Sequence, residues 1–171
     1  QSPFKSVSTA FTRDPLINVN IRSSGLIQRL IDIFSREEFK TANELPLVVS
    51  CICVLLVDAQ RIDLYLEPNH LLLITSHVII EHHGNSREFE NCVTLLARLA
   101  EAYINAKKPP LTLPHNVARK LLQAFEERPN LPAFSVNELL ILPAIVASCF
   151  EDGFIPTNII KRASENAADK A

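Results

Sequence analysis

Five histidines, two pairs of neighbouring glutamates, four cysteines and three pairs of neighbouring basic residues are the side chains in this sequence that could do chemistry. The histidines are His70, His77, His82, His83 and His115. His77 and Glu81 stand four apart, so one helical face could offer both to a single ion. No third ligand follows at a diagnostic spacing, and surface or internally paired histidines explain the set better. Glu37/Glu38 and Glu126/Glu127 read as charges at helix ends rather than as an acid/base dyad. No GxSxG, Walker A, GxGxxG or HExxH pattern occurs, and three glycines could hardly build a loop that cradles phosphate. Cys51, Cys53, Cys92 and Cys149 lie inside apolar runs without CxxC or Cys/His zinc spacing, the pattern of reduced, buried thiols in an intracellular compartment. No catalytic residue, cofactor or metal site is therefore expected.

The basic pairs carry more. Arg119-Lys120 and Lys161-Arg162 sit at the same offset from Pro114 and Pro156, and Arg29 occupies the equivalent place nearer the start of the chain. If those segments are stacked helices, the pairs line up as a positive stripe that could follow a phosphate backbone, with Lys107 and Lys108 extending it from a loop. Leu73 and Ile74 hold that offset in the intervening helix and break the stripe. Ordinary solvated helix faces are the competing explanation for the pairs.

Positioning those residues requires repeated helices, and the sequence contains them. Val48/Cys51/Ile52/Leu55, Leu96/Leu99/Ala100/Tyr103 and Leu142/Ile145/Val146/Cys149 fall at identical distances from Asn43, Asn91 and Asn137. Each set has the i, i+3, i+4, i+7 spacing of one helical face. The asparagines are suited to cap these helices. Phe39, Phe89 and Phe134 precede them, placed to pack back on the first turn. Pro68, Pro114 and Pro156 announce second helices over Asn69–Glu81, Asn116–Glu126 and Asn158–Glu165, because proline lacks an N–H that a first turn leaves unpaired anyway. Leu26, Leu30, Ile31 and Phe34 copy the spacing of Val117, Leu121, Leu122 and Phe125, so the array opens with a partial repeat. The proposed caps are 48 and then 46 residues apart, near the upper end of HEAT and armadillo units.

The expected fold is all-α, an α-solenoid of stacked antiparallel helix pairs with about three and a half repeats. It forms a single helical-repeat domain over 1–171, divided into a partial repeat 1–38 and repeats 39–88, 89–133 and 134–171. An irregular helical bundle is the alternative, since all amphipathic helices share such a stripe. A composition 47% apolar with three glycines disfavours a sandwich of tight hairpins. The net charge of −2 and pI near 6.2 provide no global attraction for nucleic acid. Asp58, Glu81 and Glu101 interrupt the longest apolar stretches, so no membrane span is expected and the protein reads as soluble. The absence of methionine fits processing after import or a piece of a longer chain.

Phe134-Ser135-Val136-Asn137-Glu138-Leu139-Leu140, continuing through Ala144-Ile145-Val146-Ala147 and Pro156-Thr157-Asn158, resembles the organellar helical-repeat proteins of the heptatricopeptide and FAST-kinase-like type that often precede a RAP domain. The likeness covers 39–165 as a pattern; the repeats here are longer and no segment resembles a RAP domain. It implies a non-catalytic subunit of an organellar, mitochondrial ribonucleoprotein such as the mitoribosome or an RNA-processing complex. Its partners would be organellar RNA and ribonucleoprotein proteins, with Arg29, Lys107, Lys108, Arg119, Lys120, Lys161 and Arg162 as the RNA-binding candidates. A purely protein-binding scaffold of HEAT or armadillo type is the alternative.

Overall fold

A computed structural model describes residues 20–22, 24–56, 58–84, 86–127 and 136–153, and within the last stretch of the chain 157–158, 160–161 and 164–165. The described residues are helical or lie in turns and extended connections, with no strand among them. The longer helices are α1 (Leu26–Phe34), α2 (Leu45–Leu56), α3 (Pro68–Glu81), α4 (Arg87–Asn105), α5 (His115–Glu126) and α6 (Val136–Glu151), and residues 20–22, 157–158, 160–161 and 164–165 are helical as well, the last three falling to within one residue on the span expected for a second helix after Pro156. Short 3-10 turns at Glu37–Phe39 and Ile62–Leu64 flank α2.

Local chemistry sets the helix starts. Gly25, at φ 81°, takes the left-handed turn before α1, a conformation that a side chain would strain. Pro68 occupies the first turn of α3, as its fixed φ favours, and the Glu67 carboxylate accepts from the Asn69 N–H. Pro114 immediately precedes α5. The asparagine caps, by contrast, are displaced. α4 begins at Arg87 and is capped by Ser86, whose hydroxyl accepts from the Phe89 N–H at 3.2 Å, so Asn91 lies inside the helix. Asn43 lies two residues before α2 begins, and Asn137 sits within the first turn of α6 with its side-chain amide donating to Thr94 Oγ1. Serine, with a short hydroxyl at the right step, wins where Asn91 was expected. Phe89 is a buried residue of α4 itself, Phe39 belongs to a 3-10 turn, and Phe134 and Pro156 lie outside the described residues.

Packing follows the apolar faces. α4 contacts α2 on one side and α6 on the other, and it also packs against α3 and the Ile62–Leu64 turn. α3 contacts α1 and α5, and α5 reaches α6. One hydrophobic core runs from Ile27 to Cys149 through all six helices. The connections contribute: Ile62 and Leu66 are buried between α2 and α3, Leu111 and Leu113 between α4 and α5. The Ser148 hydroxyl donates to the Leu113 carbonyl at 3.1 Å, pinning the long α4–α5 connection to α6. Gly84 lies so close to Ala124 of α5 that an added Cβ would meet the alanine methyl at 2.8 Å.

The aligned positions Val48, Leu96, Ile52 and Ala100 are buried, as their spacing predicts. Their equivalents in α6, Leu142 and Val146, are only half-buried. In α1, Ile27 takes the buried position and Leu26 turns outward. Among the described residues no helix is long and apolar enough to cross a membrane.

Candidate functional site

The basic residues singled out by spacing are held differently from one another. Arg119 forms an ion pair with Asp152, just beyond the end of α6, where His115 Nδ1 also approaches that carboxylate at 3.5 Å. Its neighbour Lys120 donates from Nζ to the Ile80 carbonyl at 2.6 Å, in the last turn of α3. That turn exposes carbonyls without intrahelical donors and carries the negative end of the helix dipole, so an ammonium group is stabilised there. Lys108 lies 3.6 Å from Asp63 and 5.2 Å from the Tyr103 ring centre. Asp63 is also gripped by Nε and Nη2 of Arg61, each at 2.8 Å, and these hydrogen bonds hold its carboxyl below the usual carboxylate range. Arg29, Lys107 and Lys161 are exposed, and Arg162 lies outside the described residues. The structure thus brings Arg119 and Lys120 to the ends of α6 and α3, while Lys107 and Lys108 follow the end of α4.

The histidines do not converge. His77, Glu81 and His82 line a cavity of about 220 Å³ with Lys40 and the turn before α2. Burial and the nearby Lys40 ammonium lower the His77 pKa, against the raising influence of Glu37 and Glu81, which favours the neutral ring. His70 instead meets Asp32 of α1 at 2.9 Å. Among the described residues no cluster of three or more His, Cys, Asp or Glu could hold a metal ion. The four thiols are unbridged. Burial pushes the half-buried Cys53 up to about 11 and raises Cys92 and Cys149, so none of these three is a ready thiolate near neutral pH.

The feature that spacing did not reveal is an open apolar groove of about 660 Å³ along α6. Leu139, Leu142, Pro143, Val146, Ala147 and Phe150 line it, with Glu151 at its end and Ile160 on the flank. Phe150 is 69% exposed. Forty-six residues earlier, at the repeat spacing, the corresponding α4 residues Val93, Leu96, Ala97 and Ala100 are buried where α6 packs. Pro143 removes the N–H that would bond the Leu139 carbonyl one turn back. The groove therefore combines an apolar floor with the Glu151 carboxylate at its end. A signal was present in the sequence: the run from Leu139 to Phe150 is apolar on nearly every face, more than one packed side of a helix requires.

Comparison of the chain with models of protein families, with curated proteins and with solved structures finds no match.

Proposed function

We propose that this protein is a non-catalytic helical-repeat subunit, an α-solenoid of stacked helix pairs, that holds a neighbouring protein within a larger assembly. The observation that carries the reading is the open face of α6, which keeps apolar residues at the positions that α4 buries against its neighbour. A helix face left to water alone is expected to be polar.

The solenoid reading is supported by the way like helices meet. Asp32 of α1 contacts His70 in the first turn of α3, and Gln28 accepts from the Glu67 N–H that precedes it, so the two helices set out side by side. Asn137 meets Thr94, and Tyr103 and Ile104 share a cavity with Leu140 and Ala144, so α6 follows the direction of α4. The rows α1, α3, α5 and α2, α4, α6 are the two layers that stacked pairs produce.

A protein partner is favoured over RNA because Arg119, Lys120 and Lys108 are engaged by partners inside the chain. The charges of Arg119 and Lys108 are offset by Asp152 and Asp63, and the total charge is −2. The decisive experiment is cross-linking of the assembly purified from its native source, combined with RNA titration of the isolated chain. Protein neighbours should cross-link to Lys161, which adjoins the groove residue Ile160. The variant Arg119→Gln/Lys120→Gln/Lys161→Gln/Arg162→Gln should keep its place in the assembly. If wild type instead binds single-stranded RNA with a log–log salt slope of about −0.7 per phosphate contact, and the variant loses both affinity and slope, the ribonucleoprotein reading replaces this one.

A further inference from the structure

We draw no further inference here: the strongest candidate, the open apolar groove along α6, carries nothing beyond the reading above, because nothing in the structure shows whether another protein, a second copy or the helical residues after α6 cover it.

Discussion

At the scale of single residues, burial rather than residue type decides what a change costs. Leu96 and Leu142 hold the same place in two repeats, but Leu96 is 1% exposed whereas Leu142 lines an open groove. Leu96→Ala should lose about 2–5 kcal/mol through a cavity, and Leu142→Ala under about 1 kcal/mol. Equal losses in urea denaturation would mean that α6 is covered on both sides. Asp63 provides a second residue-scale case. Its folded pKa is lowered first by the Arg61 hydrogen bonds and also by the charges of Arg61 and Lys108. The stabilisation is therefore present above the unfolded carboxylate value near ~3.9 and disappears as pH falls through the lower folded value. Solvent reaches Arg61 and Lys108, so the effect at neutral pH is small, on the order of 0.5–1 kcal/mol. Asp63→Asn should destabilise at pH 7 and be indistinguishable from wild type at pH 2. A difference in urea midpoint that persists unchanged at pH 2 would refute the charge argument.

At the scale of elements, the start of α4 separates two cap assignments. Ser86→Ala should cost about 1 kcal/mol because the Phe89 N–H loses its acceptor, whereas Asn91→Ala, inside the helix, should change stability by no more than about 0.5 kcal/mol. The reverse order in thermal melts would restore Asn91 as the cap. This case shows what was legible beforehand. Periodicity located the helices, and the expected second helices Asn69–Glu81 and Asn116–Glu126 agree with α3 and α5 to within one residue at each start. A period of 3.6 follows from many side chains together, so it survives local exceptions. A cap depends on one oxygen meeting one N–H, and Ser86 and Asn91 are both competent by type. The site was less legible for a related reason. Arg119 and Lys120 looked like a free pair because their partners, Asp152 and the Ile80 carbonyl, lie more than thirty residues away. Spacing cannot report a contact between the ends of different helices. The α6 groove was hidden for the opposite reason: its apolar run reads as core until one sees which side has a neighbour.

At the scale of the whole molecule, a helix packed on several sides should open later than one with an exposed apolar face. α4 is covered by α2, α3 and α6, and it buries Phe89, Leu95, Leu96 and Leu99. Each such side chain is worth about 1.5–3 kcal/mol when fully buried. α6 leans on α4 and α5, has lost one backbone hydrogen bond to Pro143, and leaves one face in water. Opening α6 therefore exposes less apolar surface than opening α4, and local opening free energies follow such differences. Native-state hydrogen exchange should show α4 amides exchanging last, near the global unfolding free energy, and α6 amides exchanging earlier. An α6 that exchanges as slowly as α4 would show that its apolar face is not open to water, and would remove the physical basis for holding a neighbour there.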